Sequence, residues 1–121
     1  MAEMKNLILY QKVYDLILYS FPILNRFPKH QRFVLAQQIG NSMLTLSGLI
    51  VEYNQTSGNR KRAVLHEADT ESEKLRLLIR LAQDLNFFQG KRNYETHAKK
   101  LDEIGRILGG LLKKEYSWGR S

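Results

Sequence analysis

The sequence predicts an all-α protein, an antiparallel up-down-up-down four-helix bundle with its first helix kinked at Pro22. Three observations carry that prediction. Apolar residues recur at alternating steps of three and four along most of the chain, the spacing of helices that each bury one face. Turn-forming stretches cut the pattern into four parts of similar length. No segment alternates apolar and polar residues with period two over a useful length, so no strand is expected.

The first helix, about residues 4–26, carries the stripe Leu7, Tyr10, Tyr14, Ile17, Phe21 and Leu24, widened by Ile8, Val13 and Leu18. Pro22 removes one backbone donor and kinks the helix without ending it, because the stripe runs on to Leu24. The helix stops ahead of Pro28, since the residue before a proline avoids the helical region. The second helix, about residues 29–54, opens where proline suits a first turn and carries Phe33, Ala36, Ile39, Met43, Leu46, Ile50 and Tyr53. Asn54 to Asn59 is polar and turn-forming, a loop.

The third helix, about residues 60–88, places Val64, Ala68, Leu75, Leu78, Ala82 and Leu85 in phase, with Glu71 where an apolar residue is due. Gln89 to Asn93 breaks the period, with Gly90 reading as a C-cap and Asn93 as an N-cap. The fourth helix, about residues 93–116, repeats Tyr94, His97, Leu101, Ile104, Leu108 and Leu111, and a short tail follows with Trp118. Each segment is roughly 22 to 28 residues, or about 33 to 42 Å as helix. Equal helices on short loops pack as antiparallel neighbours within one domain spanning residues 1–121.

The 121 residues suffice for one hydrophobic core. Apolar runs are short, as at Leu7 to Tyr10, and none approaches the roughly 20 residues needed to span a bilayer. The start Met-Ala-Glu-Met-Lys lacks the features of a signal peptide, so a cytoplasmic location and no membrane partner are expected. The chain has no cysteine, which excludes disulfides and thiolate metal sites. Its 19 Lys and Arg against 12 Asp and Glu leave a net charge of +7. That excess favours polyanionic partners, nucleic acid or an anionic membrane surface, with plain solubility as the alternative reading.

Catalytic chemistry is hard to find. None of His30, His66 and His97 has the Glu three residues before it that a di-iron bundle needs. His66-Glu67 begins like a zinc-protease motif, but Thr70 stands where the second histidine belongs. His97 falls in an apolar stripe and reads as a core-edge histidine with a hydrogen-bond partner. Glu71 reads as a flank carboxylate paired with Lys74 or Lys12. No phosphate-cradling loop or nucleophile elbow is present. No enzyme activity, metal or cofactor is expected.

The cations are more informative. Arg62, Arg76 and Arg80 fall away from the apolar stripe of the third helix, sharing its outward face with Asp69 and Glu73. Arg60-Lys61-Arg62 opens that helix, where the dipole disfavours cations and where a bound phosphate would be welcome. Lys91-Arg92 opens the fourth helix in the same manner, and Lys29 and Arg32 should share its end of the bundle. Lys99, Arg106 and Lys113 form an outward row at intervals of seven, with Asp102 available to pair with Arg106. Few aromatic residues accompany these cations, so no base-stacking platform is expected. Gly105 and Gly109 share one flank of the fourth helix, spaced for close approach of another helix, within the chain or from a second copy.

Three stretches resemble the Avd family, the accessory variability determinants of diversity-generating retroelements, within the four-helix bundles encoded by 23S rRNA intervening sequences. They are Phe21-Pro22 through Phe27-Pro28-Lys29-His30, Arg76-Leu77-Leu78-Ile79-Arg80, and Glu103-Ile104-Gly105-Arg106-Ile107-Leu108-Gly109. With the four-segment layout, the resemblance covers essentially the whole chain. It implies a homopentamer with a basic surface, without catalytic residues, that associates with a reverse transcriptase and its template RNA. Such a protein supports synthesis of adenine-mutagenised cDNA. Arg76 and Arg80 match arginines on the family's functional surface, and Arg106 matches by motif. The alternative is a structural or protein-interaction bundle of the intervening-sequence type whose charge is incidental.

Overall fold

The computed structural model describes residues 4–120, with side chains described for residues 6–30 and 33–114. α1 covers Met4–Leu24, a single turn α2 covers Lys29–Gln31, and a π turn over Arg32–Ala36 leads into α3 (Gln37–Gln55). α4 covers Gly58–Asp84 and α5 covers Lys91–Arg120. The run from Lys29 to Gln55 is the expected second helix, interrupted by the π turn. α1 packs on α3 and α5, α3 on α4, and α4 on α5, which closes an all-α four-helix bundle.

Three of the four expected faces line the core. Ile39, Met43, Leu46, Ile50 and Tyr53 are buried from α3, Val64, Leu65, Ala68, Leu75, Ile79 and Ala82 from α4, and His97, Leu101, Ile104, Leu108 and Leu111 from α5. α1 is different. Its buried face is Asn6, Leu9, Val13, Leu16, Ser20 and Ile23, whereas Leu7, Ile8, Tyr10, Tyr14, Leu18 and Phe21 are exposed. Both sets satisfy the three-four spacing, and the helix is apolar round most of its circumference. The inward set includes polar Ser20, which meets a buried partner there, His97.

Phe33 is also corrected, at 77% exposure. The i→i+5 hydrogen bonding of a π turn widens the helix, so a residue at its start drifts off the stripe that follows. Leu85 is exposed too, since α4 ends at Asp84 rather than near residue 88. Asn86 takes φ 62°, and Asn86 N–H donates to the Gln83 carbonyl while Phe87 N–H donates to that of Ala82. This is a Schellman ending with Asn at the left-handed position. The expected C-cap at Gly90 is therefore not used by α4; Gly90, with φ 88°, lies just ahead of α5. Asn93 is inside α5, and its Nδ2 donates to the Gln89 carbonyl at 3.2 Å.

Pro22 sits in the last turn of α1, and short turns to Ile23 and Leu24 carry the chain to Phe27. α1 from Asn6 to Leu24 and the run from Phe33 to Gln55 are each long and apolar enough to cross a membrane by length and composition. Scattered amides, hydroxyls and single charges keep every uninterrupted apolar run short, which is why neither stands out on run length. Both bury a face in the bundle.

Candidate nucleic-acid interface

The outward surface of α4 and α5 meets along a groove of about 330 Å³ lined by Glu73, Arg76, Leu77, Arg80, Tyr94 and Ala98. Arg76 and Arg80 are both exposed at its edge, one helical turn apart. Neither is bare. Arg76 Nη1 lies 2.7 Å from Asp102 Oδ1 across the groove, and Arg80 Nε lies 3.7 Å from Asp84. Asp102 thus pairs with Arg76 rather than with Arg106. Arg106 and Lys113 are exposed on α5 and form no ion pair among the described residues.

Gly105 belongs to this surface. A Cβ added there would meet only the Arg76 guanidinium, at 3.7 Å, and one added at Gly109 or Gly110 would meet nothing within 4 Å. These glycines therefore serve no close helix contact within the chain. Gly40, not the glycines of α5, lies against Phe21.

The start of α4 does not present three free cations. Arg60 Nη2 donates to Glu52 Oε2 at 2.6 Å and also lies 3.6 Å from Glu67, and the Glu52 contact raises the Arg60 pKa. Lys61 Nζ donates to the Tyr53 carbonyl at 3.1 Å and sits 4.3 Å over its ring. Arg62 is half-buried, with its Nε enclosed and lacking a hydrogen-bond partner, so it does not join Arg76 and Arg80 outside. The reason is local: Glu52 and Tyr53 end α3 directly beside the α4 start, and the loop between is too short to separate them. Lys91 and Arg92 are exposed at the opposite end, with Lys29; the Arg32 side chain, like those of Tyr116 and Trp118, lies outside the described residues.

Several interior and flanking polar groups are paired, whereas Asn6 Oδ1 and Ser72 Oγ are buried with no hydrogen-bond partner among the described residues. Glu71 accepts from Ser42 Oγ at 2.5 Å and lies 3.8 Å from Lys74 Nζ, the flank position expected of it. Lys12 pairs with Glu103 instead, at 2.7 Å, and that hydrogen bond lowers the Glu103 pKa. His97 is fully buried, and burial lowers its pKa. Among the described residues, no group of three or more His, Asp and Glu could hold a metal ion.

No curated protein matches the chain. Among solved structures, a protein of unknown function from the S23 ribosomal protein family of Bacteroides thetaiotaomicron shares the fold at a TM-score of 0.76. It is 21% identical, over 91% of this chain and 99% of that one. The model of the bAvd-like family matches residues 7–115, nearly the full bundle, including the Pro22–Pro28 turn, both groove arginines and the Gly105–Arg106 segment. The chain belongs to the bAvd-like family.

Proposed function

We propose that the protein is a non-catalytic, cytoplasmic accessory protein that binds RNA or cDNA through phosphate contacts and supports a retroelement reverse transcriptase in mutagenic reverse transcription. Family membership supports the class of function. The observation that carries the nucleic-acid part is the cationic border of the α4–α5 groove. Arg76 and Arg80 stand at one rim, and exposed Arg106 and Lys113, without an ion pair among the described residues, continue along α5. Contacts of this kind release counterions and read little base sequence, so binding should weaken steeply with salt.

The same reading includes a homo-oligomer, a pentamer by family resemblance. Its support is the exposed apolar face of α1 and α3, where Tyr10, Tyr14, Ile17, Leu44 and Val51 line a groove of about 300 Å³. Contiguous apolar surface of this sort marks a protein contact.

The test is a salt titration of binding to structured RNA, with light scattering for mass. Replacing Arg76 and Arg80 together with alanine should leave helicity intact and weaken binding about tenfold or more near physiological salt. Unchanged affinity in that variant would overturn the assignment and favour a protein-interaction bundle with incidental charge.

A further inference from the structure

The end of the bundle at the α1–α2 and α4–α5 turns is charged unlike the rest. Phe27 joins the two turns, its ring 5.9 Å from Phe87 and edge-on to Phe88 at 5.3 Å. No Asp or Glu occurs between Asp15 and Glu52, and none between Asp84 and Glu95. Arg26, Lys29, Lys91 and Arg92 are exposed there, and no ion pair among the described residues neutralises them. At the far end, by contrast, Glu52 and Glu67 hold Arg60, and Tyr53 holds Lys61.

Phe33 stands at this end, whose turns carry no carboxylate. It is the most exposed large apolar side chain described, on a π turn that also leaves Val34 62% exposed. π turns are uncommon and recur at functional sites. An aromatic ring bare to solvent, on the same end of the bundle as exposed cations, offers the two properties that single strands require, a face for a base and charge for the flanking phosphates. A duplex, with its bases stacked on one another, can use only the charge.

We propose that this end binds unpaired RNA or DNA, with one base stacked on Phe33 and neighbouring phosphates held by Arg26, Lys29, Lys91 and Arg92. The assignment rests on the nucleic-acid reading above but uses a different surface from the α4–α5 groove. Phe33 and Val34 are exposed on the π turn while Leu35 and Ala36 beside them are buried, a small apolar target that suits one base better than a lipid surface.

The test compares a short labelled oligouridylate with an abasic strand of the same length, by fluorescence anisotropy. Phe33→Ala should weaken oligouridylate binding by roughly tenfold and leave the abasic strand unchanged. Phe33→Trp in a Trp118→Phe background should retain binding and show tryptophan quenching by the oligouridylate. Equal oligouridylate binding by wild type and Phe33→Ala would overturn the proposal. If Arg76/Arg80 replacement still weakens structured RNA binding in that case, the groove reading survives. Absence of binding to either nucleic acid would overturn both. Loss of binding to phosphatidylserine vesicles in Phe33→Ala, with strand binding unaffected, would replace this site with a membrane-facing one.

Discussion

Ser20 of α1 and His97 of α5 meet in the core, with Ser20 Oγ 2.8 Å from His97 Nε2. His97 Nδ1 lies 2.7 Å from the Asn93 carbonyl, which can only accept. Nδ1 therefore carries the proton, and neutral Nε2 accepts from the Ser20 hydroxyl. The rings of Tyr19 and Phe88 enclose the imidazole at 5.0 and 5.1 Å. Ser20→Ala should leave a buried acceptor unsatisfied and cost about 1–3 kcal/mol in urea unfolding at neutral pH. A loss below a few tenths would show that the bond contributes nothing net.

The same histidine sets a pH dependence. Burial lowers its folded pKa below the ordinary imidazole value of 6.5, so the unfolded state takes up the proton first. Stability from this group is complete above that value and falls as pH drops through it toward the folded pKa. Thermal unfolding at pH 8 and pH 5 should show a lower midpoint at pH 5, and His97→Gln should flatten the slope across that window. An unchanged slope would locate the dependence elsewhere.

Glu103 acts lower in the scale. The Lys12 hydrogen bond lowers its folded pKa below 4.5, so its stability is present above 4.5 and lost as pH falls through the folded value. Both partners are more than a third exposed, which limits the pair to under about 1 kcal/mol. Lys12→Met should raise the Glu103 pKa in a carboxyl-detected NMR titration while shifting stability only slightly. A Glu103 pKa that stays put would show that the ion pair is absent in solution.

How much of this was readable from the sequence depends on the element. α3 and α5, whose polar and apolar faces are well separated, disclose their buried residues by spacing, whereas in α4 the spacing finds Val64, Ala68, Leu75 and Ala82 but misses buried Leu65, Ser72 and Ile79 and includes exposed Leu85. α1 does not disclose its buried face, because two stripes fit and the one that faces inward contains Ser20, whose partner His97 lies 77 residues away. Phe33 and Arg62 failed for the same kind of reason. The π turn that carries Phe33 and the enclosure of Arg62 Nε are facts that periodicity does not encode. Arg76 and Arg80 were legible as outward cations, but their carboxylate partners depend on where α5 lies. The basic end was visible as charge, and only the exposure of Phe33 made it more than that.

Asp102 tests the groove directly. It neutralises Arg76 at 2.7 Å, between side chains that are both more than two-fifths exposed. Asp102→Asn should change stability by less than about 1 kcal/mol, and the added positive charge should tighten structured RNA binding severalfold at low salt. Affinity that is unmoved would place the RNA away from Arg76.

The exposed stripe of α1 makes the last prediction. Tyr10 and Tyr14 stack with ring centroids 6.5 Å apart, and they face Leu44 and Val51 of α3 across an apolar groove. Water-facing aromatic and aliphatic side chains in one contiguous band are the surface a second copy would cover, whereas the buried face of α1 is already satisfied by the core. Tyr14→Glu combined with Leu44→Glu puts charge into that band without touching a core residue. Helicity should hold, and the particle mass by light scattering should fall toward the 14.1 kDa of one chain. RNA affinity should fall with it, because a ring multiplies weak phosphate contacts and a single bundle does not. A variant that keeps the wild-type mass would move the subunit contact off α1 and α3, leaving the open flank of Gly109 and Gly110 on α5 as the next surface to charge.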